Sequence, residues 1–202
     1  MGWRWPHKDC NLLDNSVISL VVTKRTDERL LCLMDKHYSK PKGFVGRNIC
    51  YAIFYDDVYY GHTIAGSATR FLPGRNEFLG IDIGQLNLVA NNIFFHVEKS
   101  DGRYPIRNFV PSVIREWCRL VEVDWKEKYG DILVGFETLV ELPRTGECYR
   151  RAGWEEVGVT KGYTCKRVGG KGSDSWGGKR VWDTKNLRPK RVLCLSLQDN
   201  SV

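Results

Sequence analysis

The chain has 202 residues, 42% of them hydrophobic and 27% charged, which suits one domain with an appendage better than two full domains. No apolar run approaches the roughly 18 residues of a membrane-spanning helix, and Met1 to Lys8 hold no apolar signal core, so an intracellular protein without membrane attachment is expected. The formal charge is +7, and the segment from Thr160 to Arg191 alone carries +8, which leaves a nearly neutral body.

Residues 16–23 are β-branched and apolar and predict a first strand. From Asp27 the pattern Leu30, Leu31, Met34, Tyr38 predicts a short helix that ends near Ser39, before Pro41 and Gly43. The runs Ile49 to Tyr55 and Val58 to Ala65, separated by Asp56-Asp57, predict a hairpin. Thr69 to Gly84 reads as an irregular loop, and Gln85 to Val97 as the longest strand. Within that strand Asn91-Asn92 is out of place, because Asn is depleted in strands; a bulge, an opening of the ladder, or a break between two shorter strands would each explain it.

Val110, Val113, Ile114, Trp117, Leu120 and Val121 recur at helical spacing, with Asn108 as the expected N-cap, Pro111 in the first turn and Gly130 as the stop. Ile132 to Val140 predicts a strand and Thr145 to Ala152 a short helix stopped by Gly153. Trp154 to Val159 and Val192 to Leu195 are expected closing strands. The predicted fold class is α/β, a central mixed sheet flanked by helices, with a basic Gly-rich excursion between the closing strands. The seven cysteines form no Cys-x-x-Cys pair and read as reduced thiols. His37, His62 and His96 lack metal-ligand spacing, so no metal is expected.

Clustered cations gain affinity for polyanions by releasing counterions from phosphates, so the basic segment points to DNA. Lys161, Lys166, Arg167, Lys171, Lys179 and Arg180 are the candidate phosphate contacts, and Trp176 a ring able to stack on a displaced base. The alternative is a solvated segment that binds nothing.

The element order resembles that of the GNAT acyltransferases, in which a cofactor pyrophosphate sits at the start of the long helix. Their usual Arg/Gln-x-x-Gly-x-Gly/Ala signature is absent here, where the chain reads Tyr104-Pro-Ile-Arg-Asn-Phe-Val-Pro-Ser112. Three further pieces are His37-Tyr38-Ser39, Asn108 followed by Ser112, and Gly146-Glu-Cys-Tyr149-Arg-Arg-Ala-Gly-Trp154 after an acidic strand end. With Gly158-Val-Thr-Lys-Gly162, they resemble the phage Mom family, which converts adenine in DNA to an N6-carbamoylmethyl form and so blocks restriction. They are also similar to the related DruA proteins of the Druantia anti-phage system.

The resemblance covers roughly residues 35–163. It implies a GNAT-like catalytic domain over residues 1–159 and a basic Gly-rich segment over 160–202 that can include a closing strand. It also implies catalytic roles for His37, Tyr38, Glu141 and Tyr149, and cofactor contacts at Asn108 and Ser112. Glu137 is the rival to Glu141, because the family's acid is an Asp at a shifted spacing. The donor it implies is an unidentified activated group, with acyl-CoA and aminoacyl-tRNA as the two classes considered.

Chemically, His37 can exchange a proton near neutral pH, or merely cap a helix. Tyr38 can stack on a base, or only pack. Tyr149 can protonate a leaving group, or lie half-buried against the sheet. Glu141 is an expected base, and Ser112 beside first-turn amides an expected anion contact. The readings that follow are a DNA adenine-modifying transferase, a non-catalytic DNA-binding defence component of the DruA kind, and an ordinary N-acyltransferase.

Overall fold

A computed structural model describes residues 17–168, 179–183 and 185–198. The chain opens with β1 (Ile18–Thr23) and α1 (Glu28–Lys36). Asp27 caps α1 by accepting the Arg29 backbone N–H at 2.9 Å. Leu30, Leu33 and Met34 form its buried face, on Cys50, Ile64 and Phe94. Burying a side chain of this kind stabilises by about 1.5–3 kcal/mol, which holds a helix too short to persist alone. The helix ends earlier than its periodicity predicts: His37 is already extended, and Tyr38 lies beyond the last turn.

The predicted hairpin is β2 (Asn48–Tyr55) and β3 (Val58–Ser67), with Asp56 and Asp57 both at positive φ, the backbone that matches the strand twist. The predicted irregular loop instead contains α2 (Arg75–Leu79), and the first four residues of the predicted long strand belong to a 3-10 segment (Ile83–Leu88). Gln85 turns back to accept the Asp82 backbone N–H at 2.9 Å, an end-capping contact that outweighs the strand-like alternation of Leu86 and Leu88. The strand proper, β4 (Val89–Val97), starts where it finds a partner.

The long helix is α3 (Phe109–Tyr129), which buries Phe109, Val113, Trp117, Val121 and Trp125 on the face opposite α1 and ends at the left-handed Gly130. There follow β5 (Gly135–Glu141), α4 (Glu147–Arg151), β6 (Glu155–Val159), the hairpin β7 (Thr164–Val168) and β8 (Lys179–Asp183), and β9 (Lys190–Ser196). Among the described residues seven strands form one sheet in the order β1-β2-β3-β4-β5-β9-β6, while β7 and β8 pair with each other. β9, the closing strand expected within residues 160–202, lies inside the main sheet between β5 and β6.

Two irregularities shape the centre of the sheet. β4 and β5, the one parallel pair of the main sheet, are bonded only from Val89 opposite Gly135 to Asn92 opposite Thr138. On the other edge of β4 the register with β3 slips between Ile64 and Ala65, which leaves Ile93 as a bulged residue. β4 then continues against β3 and β5 against β9, so the two strands part. Of the three outcomes open to Asn91-Asn92, the break does not occur: the strand is continuous, bulged one residue later, and its ladder with β5 opens there.

Candidate active site

The parting of β4 and β5 leaves a cleft of about 790 Å³ that touches residues from both faces of the sheet. On the α1 face it is lined by His37, Tyr38, Ser39, Phe94, Arg144 and Lys190. On the α3–α4 face it is lined by Asn92, Thr138, Cys148 and Tyr149.

His37 is buried at the end of α1, 4.3 Å from the Tyr38 ring and 4.8 Å from Phe94 by centroid. Its Nδ1 accepts the Ser39 backbone N–H at 3.2 Å and lies 2.8 Å from Ser39 Oγ. Burial, then the nearby His96, and also Arg144, lower its pKa to about 4, against a smaller pull the other way from the Phe95 backbone. The ring is therefore neutral at pH 7. Tyr38 is 41% exposed, with the Arg144 guanidinium 3.8 Å above its ring.

Tyr149 is buried on α4, and its hydroxyl donates to Asn92 Oδ1 at 3.3 Å. Asn92 in turn donates to Thr63 Oγ1 at 3.1 Å, and Thr138 Oγ1 donates to the Asn92 carbonyl at 3.0 Å. Burial raises the phenol well above its ordinary range, so it keeps its proton at neutral pH.

The two candidate acids are placed differently. Glu141 is half-buried at the end of β5, opposite Lys190 in the ladder, and is not among the residues that line the cleft. Glu137 is fully buried and hydrogen-bonded to Arg75, which is fully buried too. Glu137 also accepts the Thr69 backbone N–H at 2.6 Å and the Asn91 amide at 2.9 Å. Burial pushes Glu137 upward, while the Thr69 amide and the Arg75 guanidinium pull it down. All its oxygens are engaged with the fold, and it does not line the cleft.

The comparisons with known proteins identify the architecture. A Bacillus subtilis acetyltransferase solved with CoA superposes with a TM-score of 0.51 at 10% identity, over 90% of this chain and 100% of that one. The aminoglycoside acetyltransferase AAC(6')-Ib, solved with coenzyme A and kanamycin, gives 0.51 at 11% identity, over 89% and 95%. A GNAT-family acetyltransferase from Streptococcus pneumoniae gives 0.50 at 10% identity, over 90% and 100%. The fold is that of the GNAT acetyltransferases. No protein-family model and no curated protein matches the chain.

Within this GNAT fold the start of α3 is unusual. Asn108 takes the N-cap position in a left-handed conformation (φ 59°) and its side chain makes no capping bond, contrary to the expected cap. Asn tolerates that conformation better than most residues, which is the physical reason for its place there. Pro111 removes one first-turn N–H. Beside them, Arg107, Arg115 and Arg151 surround a pocket of about 300 Å³. Arg115 donates to Ser112 Oγ at 3.2 Å and to the Arg151 carbonyl at 2.8 Å, so Ser112 helps to tie α3 to α4. An anion here would meet guanidinium groups as well as the positive end of a long helix. No single helical spacing joins the three arginines in the sequence, because Arg107 precedes α3, Arg115 lies on it and Arg151 lies on α4.

Of the candidate DNA contacts, Lys161 is exposed just after β6. Lys166 and Arg167 lie on β7 opposite Val181 and Arg180, and Lys179 on β8 faces Val168. Lys171 and Trp176 lie outside the described residues. The base of the excursion is tied down by the Arg188 N–H to the Gly162 carbonyl at 3.0 Å and the Leu142 N–H to the Pro189 carbonyl at 3.1 Å. This brings Lys190 into the cleft wall.

Proposed function

We propose that this chain is a GNAT-fold transferase that modifies the N6 amine of adenine in DNA, using an anionic activated donor. The observation that carries the reading is the two-sided cleft. One side is lined by Asn92, Thr138, Cys148 and Tyr149, and a separate pocket ringed by Arg107, Arg115 and Arg151 lies at the start of α3. The other side of the cleft opens on aromatic rings and cations, Tyr38, Phe94, Arg144 and Lys190, beside the root of the basic excursion. A base within a duplex must leave the stack before its exocyclic amine can react, and stacking rings with phosphate-binding cations are what an extruded base needs.

The residues at the start of α3 fit a phosphorylated donor, with guanidinium groups replacing the glycine-loop amides of the usual GNAT signature. An acyl thioester of CoA, the cofactor found in the B. subtilis and AAC(6')-Ib structures, is the first candidate. When bound, such a group supplies a carbonyl carbon on a good leaving group. An aminoacyl-tRNA would present the same chemistry, and competition by free CoA separates the two.

In this reading Tyr149, protonated at neutral pH, gives its proton to the departing group. The attacking nitrogen becomes a strong acid once it bonds to carbon, so a weak base suffices to take its proton. Ser39, hydrogen-bonded to the neutral His37, would carry that proton toward solvent. A new nitrogen–carbon bond forms and the carbon–leaving-group bond breaks. The N6-carbamoylmethyl product of the Mom family contains a methylene–nitrogen bond that one acyl transfer does not form. The proposal therefore concerns attachment at N6, and the mass of the product reads the group.

The test is mass spectrometry of nucleosides from plasmid DNA of expressing cells. A mass-shifted deoxyadenosine that disappears in Tyr149→Phe is expected. Unmodified nucleosides from cells containing soluble protein overturn the reading. If salt-sensitive DNA binding then survives His37→Ala and Tyr149→Phe, the DruA-like binding reading replaces it; that reading is favoured by how fully His37 Nδ1 and the Tyr149 hydroxyl are already occupied. Acylation of small amines in place of DNA would restore the ordinary N-acyltransferase.

A further inference from the structure

The loop between β3 and α2 joins two features that rarely occur together. Phe71 is 73% exposed, and the chain is held by close or buried partners two residues to either side of it. Two residues before it, the Thr69 N–H is bonded to Glu137 at 2.6 Å, the Thr69 carbonyl accepts from Arg75 at 3.0 Å, and Asn91 donates to the Thr69 hydroxyl at 3.0 Å. Two residues after it, the Pro73 backbone packs so closely on β6 that a Cβ on Gly158 would stand 2.7 Å from the Pro73 carbonyl. A Cβ on Gly74 would stand 2.0 Å from that of Val157. An exposed aromatic ring on a floppy loop needs no explanation. One mounted on a loop pinned by a fully buried ion pair is carried at a fixed place on the surface.

What surrounds the ring indicates its occupant. Arg70 lies over Phe71, its guanidinium 5.3 Å from the ring centroid. Thr69, only about 7 Å of extended chain away, lines the same cleft as Arg144 and Lys190. β6, on which the loop rests, leads directly into the segment of +8 charge. An exposed apolar ring beside Arg70, on a pinned loop whose Thr69 lines the cleft, matches the apolar side chains that enter a base step and unstack it.

We infer that Phe71 is the wedge that enters the base stack of duplex DNA as the target base leaves it for the cleft, with Arg70 holding the adjoining phosphate. The inference rests on the DNA reading of the cleft. The rigidity has a purpose in it: unstacking a step costs free energy, and a loop that yielded would not transmit it.

The test uses the full chain with a set of duplexes, each carrying 2-aminopurine in place of one adenine, and reads the fluorescence gained when that base unstacks. Wild type is expected to raise the signal about tenfold on at least one duplex. Phe71→Ala should leave it at the level of free DNA, and Phe71→Trp should restore most of it. Binding of single-stranded DNA should be unchanged in both variants, which also shows that they fold. No rise with wild type, or an equal rise with Phe71→Ala, overturns the inference. Nucleoside mass spectrometry separates its failure from that of the proposed function. Duplex modification at the wild-type level by Phe71→Ala removes the wedge and keeps the transferase. A wedge-dependent fluorescence rise with no modified base removes the transferase and keeps the wedge.

Discussion

Asn91 and Asn92 are neighbours on β4, yet they serve buried polar networks of opposite kinds on opposite faces of the sheet. On the α2 face Asn91 joins Thr69, Arg75 and Glu137, an ionic network in which both charges are fully buried. On the α4 face Asn92 joins Thr63, Thr138 and Tyr149, a network without charge. The ionic network fixes backbone: Glu137 clamps the Thr69 N–H from 68 positions away in sequence. The neutral network fixes a proton: it holds a buried phenol at the point where the strands part. Desolvated charge therefore anchors the architecture, and neutral polarity is left beside the opening, where a hydrogen bond can be exchanged without abandoning a buried ion.

The sharpest way to break this contrast is Glu137→Ala, which strands the Arg75 guanidinium in the interior. A loss of about 3–5 kcal/mol is expected in urea unfolding. Arg75→Met combined with Glu137→Leu should recover most of it, since an apolar pair of similar volume leaves no charge behind. Tyr149→Phe is expected to do the reverse. Stability should change by about 1 kcal/mol, while DNA modification falls by about 100-fold. Were Tyr149→Phe to destabilise as much as Glu137→Ala, the division of labour would be lost.

A smaller effect is expected from pH. His37 and His62 are both buried, and burial is the main cause of a pKa lowered to about 4 in each, from the ordinary 6.5. Such histidines bind protons more readily in the unfolded chain. The stability they contribute is complete above pH 6.5 and is lost as pH falls toward 4. Thermal melts across that window should show the decline, and His62→Gln should flatten part of it. The smallest effect is expected for Asn108→Gly, a few tenths of a kcal/mol in either direction, because the side chain makes no capping bond and glycine accepts the same left-handed backbone. A loss above about 1 kcal/mol would mean that the amide contributes more than its geometry shows.

Much of this arrangement could be read from residue order. The β2–β3 hairpin, α3 and the closing strands follow from local periodicity and turn chemistry, and the anomaly at Asn91-Asn92 marked the place where the ladder opens. α2 was hidden because it is a single five-residue helix anchored by a buried arginine, and nothing local distinguishes Arg75 from a surface residue. The same blindness applied to Glu137, whose partners come from β4 and the β3–α2 loop. Its burial is a property of the assembled sheet and not of its own segment. The arginines around the start of α3 were missed for the converse reason. The GNAT glycine signature is absent there, and that absence gives no hint that arginines from the loop before α3, from α3 and from α4 meet at this point.

The position of β9 has a consequence for how the molecule is made. Residues 190–196 fill the slot between β5 and β6, yet they follow the whole basic excursion in the chain. During synthesis β5 therefore keeps an open edge until that excursion has been translated, and the cleft wall that ends at Lys190 is built last. Once β9 docks, the cationic segment is a loop tethered at both ends to the sheet. Under the proposed function, nucleic acid bound by that segment would be brought beside the cleft, and a chain truncated before β9 would lose the strand that joins β5 to β6.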